Sequence, residues 1–429
     1  MKNSHTFSRI LKVKGELELP GDKSISHRAV MLSCLAEGKS RIKNLSRGED
    51  VASCVKCFKQ LGVSIDEEKD TFIIEGKGFK GFNKSADPLD AGNSGTLARL
   101  ITGILAAQDF ETTLIGDRSL SSRPMKRIMV PLTSMGAKVT ATPDSTLPLN
   151  IIPSDKLNPI SYELPVASAH VKSAVLLAGL HIDGTTTVVE QWPSRNHTEK
   201  MLNLKTEVKD GKYYSYVSKQ NYPGPKDYFV PGDISSAVYF IILTLLSEDS
   251  ELLIKNVSLN TSRTGILEIL TKMGGDIQML NQKENAGEIY GDVLVKSSEL
   301  RNISLENYPI VNFIDEIPVL AVAGIFADGK FEIKNAKELR FKESDRIKAV
   351  CENLRLTGLD VEEFEDGFSI SGSIANSSPV FASYDDHRIA MAFGILSSVL
   401  KDGGKVNNFD CVKISNPGFL HQLNQVSYG

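Results

Sequence analysis

The sequence predicts an α/β protein assembled from a single β-α-β-α-β-β unit used six times, and three observations lead there. A phrase recurs: a short apolar or Pro-containing entry, a tight polar segment, an apolar helix, a Gly/Asp-rich turn and a strand. Its starts fall near residues 20, 90, 165, 231, 315 and 385, spaced 70, 75, 66, 84 and 70 residues apart. The helices in this phrase are apolar on nearly every face, which marks them as buried rather than as amphipathic surface helices. A second helix follows most of the strands and ends in a repeated glycine, at Leu61-Gly62, Met135-Gly136, Met273-Gly274 and Thr357-Gly358, the expected left-handed cap. Repeats of this size cannot bury their faces alone and are expected to pack in groups around shared helices.

In chain order, Leu19-Pro20-Gly21-Asp22-Lys23-Ser24 opens the helix at 27–38 and the strand at 40–45. Asp90-Ala91-Gly92-Asn93-Ser94-Gly95-Thr96 opens the helix at 97–108 and the strand at 111–116. Leu164-Pro165-Val166-Ala167-Ser168-Ala169 leads to a helix at 170–180 and a strand at 185–190, and Val230-Pro231-Gly232-Asp233 to a helix at 234–246 and a strand at 251–257. Asp315-Glu316-Ile317-Pro318 leads to 319–329 and then 330–336; Asp385-Asp386-His387-Arg388 leads to 389–400 and then 405–409. Strands at 63–68, 137–142, 276–280 and 360–365 follow the glycine caps. The third repeat lacks that glycine, and the sixth ends after the segment 417–423.

The chain has 429 residues, 41% apolar and 24% charged, which suits a globular protein of two or three domains. Its 49 basic and 53 acidic residues give a net charge of −4, so no basic excess of the kind a general nucleic-acid binder needs is present. Five cysteines form no disulfide framework, and the Cys54/Cys57 pair, with no second pair, reads as reduced structural thiols. The first twenty residues lack the apolar core of a signal peptide, and no apolar run is long enough to span a membrane. A soluble cytoplasmic protein is the expectation. The phosphate loop and dinucleotide fingerprints are absent, as is the serine nucleophile elbow, and no ligand spacing calls for a metal, His387 included.

What stands out is cationic side chains beside helix starts. Free N–H groups and the positive end of the dipole already favour anions there. Lys23, His27 and Arg28 flank the first start, Arg99 follows the second, and Arg388 belongs to the sixth. Arg123 and Arg346 precede or open second helices. Gly92-Asn93-Ser94-Gly95-Thr96 could form an anion nest. The repetition points to a small substrate with more than one anionic group. Asp315-Glu316 and the mixed segment Lys342-Glu343-Ser344-Asp345-Arg346 are the candidates for acid–base work.

Eight segments, in order, resemble the EPSP synthase family of enolpyruvyl transferases: 19–28, 91–96, 122–124, 164–174, 231–237, 314–323, 339–346 and 385–393. The resemblance implies a two-domain inside-out α/β barrel with three βαβαββ units per domain. Residues 20–229 would form one domain, binding mainly shikimate 3-phosphate. Residues 1–19 with 230–429 would form the other, contributing acid/base and phosphoenolpyruvate (PEP) contacts. It implies transfer of the enolpyruvyl group of PEP to the 5-hydroxyl of shikimate 3-phosphate, with release of phosphate, through a tetrahedral ketal. Lys23, Ser24 and Arg28 would contact shikimate 3-phosphate, and Lys23 would reach PEP as well. Gly95 and Arg123 would bind PEP; Ser168 and Ala169 would line the shikimate phosphate site, with Arg195 as a helper. Arg346 and Arg388 would clamp the PEP carboxylate, and Lys342 would contact the shikimate moiety. Asp315 would be the general base on the 5-hydroxyl, and Glu343, with Lys23, the proton donor to the PEP methylene. No metal or organic cofactor, nucleic acid or membrane partner is implied, and the expected state is a monomer.

The sequence departs from the family pattern in three places. His170 stands where a Gln that touches both substrates is usual; it brings a different shape and a titratable charge. Asn196 replaces an Asp, and the segment Ile414-Ser415-Asn416-Pro417 lacks a Lys that some members place near the PEP phosphate. Two rivals remain at this stage. The sister transferase acting on UDP-N-acetylglucosamine shares the fold but is expected to carry Lys-Asn and a reactive loop Cys. Here Lys23-Ser24 stands in the first place, and no Cys lies between Gly116 and Arg123. A non-catalytic anion-binding relative is the other.

Overall fold

Six helices buried along most of their length organise the chain: α1 (Lys23–Leu35), α2 (Gly95–Leu105), α3 (Ala169–Gly179), α4 (Ile234–Leu246), α5 (Ile317–Phe326) and α6 (His387–Val399). In the computed structural model, which describes residues 3–428, every residue of α4 from Ile234 to Leu245 and of α6 from His387 to Ser398 is buried. Helices this apolar have no face to offer water, so each must be wrapped by sheets and by its neighbours. The starts follow from local chemistry. Asp22, Ser94, Ser168, Asp233 and Asp386 each cap a helix by accepting a backbone N–H of its first turn. The exception, α5, carries Pro318 in its first turn, where a missing N–H costs nothing.

The chain divides into two compact units. An inserted unit comprises Gly21–Val230 with the short stretch Glu284–Glu288, and a split unit comprises the residues up to Pro20, Pro231–Lys283 and Ile289 onward. Each has its own hydrophobic core.

In the inserted unit, the described residues form three four-stranded sheets of one design. A parallel pair comes first: Asp227–Phe229 with Glu37–Lys43, Leu89–Asp90 with Thr112–Ile115, and Ser161–Glu163 with Thr186–Glu190. An antiparallel return strand (Thr71–Lys77, Leu149–Ile152 or Lys212–Val217) and its hairpin partner complete each sheet. In the split unit the repeats are less regular. Lys12–Glu18 runs parallel to Glu251–Ser258, whose antiparallel neighbour is Glu288–Lys296. In the fifth repeat the parallel entry shrinks to a single bridge between Arg301 and Asp328, beside the sheet of Phe331–Ile333, Gly367–Ser371 and Asp360–Phe364. The sixth repeat, which lacks a hairpin of its own, borrows His5–Phe7 as the antiparallel neighbour of Gly404–Asn407.

The expected glycine caps adopt the left-handed conformation, with φ of 85° at Gly62, 99° at Gly136, 104° at Gly274 and 90° at Gly358. In the third repeat Asn203 takes the same role at φ 50°, since Asn tolerates this region better than other side chains. The five cysteines are all unpaired as disulfides. Burial pushes the Cys54 thiol well up and the Cys57 thiol up to about 12, as inert structural thiols require. No helix among the described residues is long and apolar enough to cross a membrane.

Candidate active-site residues in each unit

In the inserted unit, polar side chains gather at the N-terminal ends of α1, α2 and α3. Lys23 Nζ, in the first turn of α1, lies 3.0 Å from Asp50 Oδ2. One turn on, Arg28 is buried and spends all three nitrogens on neutral acceptors: Thr198 Oγ1 at 2.7 Å, Ser173 Oγ at 2.7 Å and the Ser24 carbonyl at 2.9 Å. Burial pushes the Arg28 guanidinium down to about 10; Glu199, Glu288 and Asp22 oppose the shift and the charge of Arg195 adds to it. Two cations whose fields meet in a largely buried place make a strong site for a divalent anion such as a phosphate. His27, between Lys23 and Arg28, is kept neutral by burial and by both of those charges.

At α2, the cap Ser94 also lies 3.2 Å from His27 Nε2. A Cβ on Gly95 would stand 2.5 Å from Arg99 Nη1 and 3.3 Å from Arg123 Nη1. Glycine therefore lets two guanidiniums close on one helix end. Arg123 is anchored through Nη2 to Asn93 Oδ1 (3.0 Å) and Ser119 Oγ (3.1 Å). At α3, Ser168, Ala169 and His170 are half-buried, and His170 Nε2 sits 3.2 Å from Thr96 Oγ1 in the first turn of α2. The unexpected histidine is thus held between two helix starts.

Beneath this end of α3 lies a buried ionic knot. Lys172 Nζ meets Glu190 at 2.6 Å, Glu199 at 2.7 Å and the Ser194 carbonyl at 3.2 Å. It ties α3 to the loop that carries Arg195. Burial would lower the Lys172 ammonium, but Glu199 and Glu190 hold it above the ordinary lysine value. His197 Nδ1 lies 2.8 Å from Glu288 Oε1.

In the split unit, three separate segments converge on one cluster. Arg346, 1% exposed at the start of the helix Arg346–Arg355, contacts three carboxylates. Its Nη1 is 3.1 Å from Asp315 Oδ1, its Nη2 is 2.5 Å from Glu343 Oε2 and its Nε is 2.8 Å from Asp386 Oδ2. Arg388, in the first turn of α6, donates to the Asp315 carbonyl at 3.3 Å and lies 3.8 Å from Asp315 Oδ2. Lys342 Nζ stands 3.4 Å from Asp315 Oδ1. Burial would raise the Asp386 carboxyl, but Arg346 beside it, with help from His387, holds it below the ordinary carboxylate value. Burial alone would lower Arg388 and Arg346; the surrounding carboxylates reverse this and hold both guanidiniums above their usual values.

The structure thus brings Asp315, Lys342, Glu343, Arg346 and Arg388 into contact within one unit. Lys23, Ser24, Arg28, Gly95, Arg123, Ser168, Ala169, His170 and Arg195 all lie at the helix starts and loops of the other. Asp386, Lys172, Glu190 and Glu199 belong to these networks and were not singled out in the sequence, whereas Glu316 was named with Asp315. Asp386 had a signal, because an acidic residue opening a buried helix recurs at Asp22 and Asp233. Glu190 and Glu199 carried no such signal. Among the described residues no group of three or more His, Cys, Asp or Glu side chains could hold a metal ion.

Comparison with known proteins gives a consistent result. The family model for EPSP synthase (3-phosphoshikimate 1-carboxyvinyltransferase) matches residues 8–423. A 3-phosphoshikimate 1-carboxyvinyltransferase of Thermoanaerobacter sp. (strain X514) is 45% identical over 414 residues, covering 95% of this chain and 96% of the relative. One from Salinibacter ruber is 42% identical over 426 residues, covering 98% and 99%. Among solved structures, EPSP synthase from Acinetobacter baumannii superimposes with a TM-score of 0.86 at 36% identity, covering 99% of this chain and 98% of that one.

Proposed function

The chain belongs to the EPSP synthase family, and from that premise we propose how its own side chains carry the family reaction. That reaction transfers the enolpyruvyl group of PEP to the 5-hydroxyl of shikimate 3-phosphate and releases phosphate. It proceeds by addition and then elimination. In the addition the 5-hydroxyl oxygen attacks C2 of PEP and loses its proton, while C3 gains one. In the elimination C3 returns its proton, the C2–O bond to phosphate breaks, and the enol ether forms.

Asp315 is the acceptor of the 5-hydroxyl proton. Its carboxylate, 6% exposed, is oriented by Arg346 at 3.1 Å and Lys342 at 3.4 Å, and a positioned acceptor is what general base catalysis needs. Glu343 moves the proton to and from C3, and Lys23 takes part in that delivery. Arg346 and Arg388 clamp the PEP carboxylate, for which a guanidinium fork is the matching shape; Gly95 and Arg123 bind the same substrate. In the free protein Arg346 rests on Asp315, Glu343 and Asp386 and Arg388 on Asp315, so the incoming carboxylate exchanges with carboxylates already there. Lys23, Ser24, Arg28, Ser168, Ala169, His170 and Arg195 take shikimate 3-phosphate, with Lys342 on its ring. These side chains bind, orient and move protons unaided; the reading calls for no cofactor.

The observation that carries the assignment is the convergence of Asp315, Glu343 and two buried arginines from three distant segments on one cluster. Asp315→Ala and Glu343→Ala are each expected to lower kcat at least ~100-fold, the usual scale for acid–base groups. Steady-state assay of purified variants of unchanged thermal stability checks this; near-normal turnover in both would remove their roles.

A further inference from the structure

Ser-Arg, or Ser-x-Arg, stands just ahead of the second helix in four repeats: Ser122-Arg123, Ser194-Arg195, Ser262-Arg263 and Ser344-Asp345-Arg346. Arg123, Arg195 and Arg346 are site candidates, and Arg263 is the fourth member of the set. It precedes the helix Gly265–Lys272 and is 2% exposed. Its Nη2 makes a short hydrogen bond to Ser235 Oγ in the first turn of α4. The same nitrogen lies 3.5 Å from Glu316 Oε1 and 4.0 Å from Asp233 Oδ1. The Ser235 hydroxyl in turn donates a short hydrogen bond to that Glu316 oxygen.

Glu316 adjoins Asp315 in the chain and is completely buried. Its Oε1 is also 3.5 Å from Arg388 Nη1, while its Oε2 accepts no hydrogen bond among the described residues. One buried carboxylate therefore serves two buried guanidiniums. Such a group is retained only where its neighbours orient it, since burying it alone costs several kcal/mol, roughly, per ion. The chain from Arg263 through Ser235 fixes which Glu316 oxygen faces Arg388. Arg388 is thereby held between Glu316 Oε1 and Asp315 Oδ2. A guanidinium fixed in direction matches the two oxygens of a carboxylate.

We propose that Arg263 and Glu316 are positioning residues for the enolpyruvyl transfer: acting with Ser235, they aim Arg388 at the PEP carboxylate. The inference rests on the assignment of Arg388 to that carboxylate. Neither residue touches substrate; both act through Arg388.

The test is steady-state kinetics of the intact chain, varying PEP and shikimate 3-phosphate separately, on Arg263→Met, Arg263→Lys, Glu316→Gln, Ser235→Ala and Arg388→Lys. Arg263→Met and Glu316→Gln are expected to raise the PEP KM about tenfold or more and to leave the shikimate 3-phosphate KM within about twofold, the mark of a misaimed contact to one substrate. Arg263→Lys, which keeps the charge and a donor to Ser235, should recover most of the loss. Ser235→Ala removes only the hydroxyl and is expected to raise the PEP KM about threefold, which keeps the test open where a buried-charge variant does not fold. A PEP KM unchanged in Arg263→Met, Glu316→Gln and Ser235→Ala, while Arg388→Lys raises it about tenfold, overturns the inference. So does a loss of kcat and thermal stability with no change in that KM, the result of a purely structural role. An unchanged PEP KM in Arg388→Lys overturns the assignment of Arg388, and the inference with it.

Discussion

His170 stands where the family resemblance leads one to expect Gln, and its contact with Thr96 holds it at the start of α3, beside Ser168 and Ala169. A histidine there can take up a proton, which a glutamine cannot. The KM for shikimate 3-phosphate is therefore expected to change with pH in the parent protein and to lose that dependence in His170→Gln. Identical pH profiles for the two proteins would show that His170 does not act through its charge. His181 makes the opposite kind of prediction, about stability. Its ring packs 5.2 Å from Phe79 and 5.3 Å from Tyr222, and both nitrogens are buried without a hydrogen-bond partner among the described residues. Burial, with Lys80 and Lys219 adding, pushes its pKa from 6.5 down to about 3. The unfolded chain therefore binds the proton first, and stability drops as pH falls from about 6.5 toward about 3. His181→Phe should recover about 2 kcal/mol of the loss between pH 7 and 5, read from urea denaturation at each pH; equal losses in both proteins would contradict it. Motif segments made Asp315, Glu343, Arg346 and Arg388 legible in the sequence. Their partner Asp386, and the separate knot of Lys172 with Glu190 and Glu199, were not, because a charged residue at a strand end or helix start reads the same whether it is solvated or buried.

At the scale of the element, helix starts and stops were the most legible features. Each is decided by chemistry within a few residues: an Asp or Ser cap, a proline in the first turn, a glycine with positive φ. The third repeat shows where local reading stops, because no glycine marks its turn and Asn203 fills the left-handed position at φ 50°. Replacing it with alanine keeps the size small and removes the tolerance for that region. Asn203→Ala is expected to cost about 1 kcal/mol, with a matching fall in the denaturation midpoint. Asn203→Gly should stay within about 0.5 kcal/mol of the parent, since glycine enters this region freely. Equal stabilities for all three proteins would mean that the turn is not strained by its side chain.

Across the whole molecule, the repeat spacing carried the architecture, while strand exchange was hidden. Lys12–Glu18 precedes α1 yet pairs with Glu251–Ser258, and Asp227–Phe229 precedes α4 yet pairs with Glu37–Lys43. A strand's alternation says which of its faces is buried and nothing about which distant strand it joins. Closing each unit with the strand that leads into the other repeat series makes both units depend on contacts more than 180 residues apart in the chain. The net charge of −4 likewise averages over buried sets of opposite sign. Arg28 near Arg195 in one unit, and Arg346 near Arg388 in the other, gather positive charge inside a weakly acidic chain. The most direct measurement is phosphate release by the purified protein given PEP with shikimate 3-phosphate, run beside PEP with UDP-N-acetylglucosamine. Stoichiometric phosphate and 5-enolpyruvylshikimate 3-phosphate from the first pair alone are predicted. Turnover with the second pair alone, or with neither, would contradict the account.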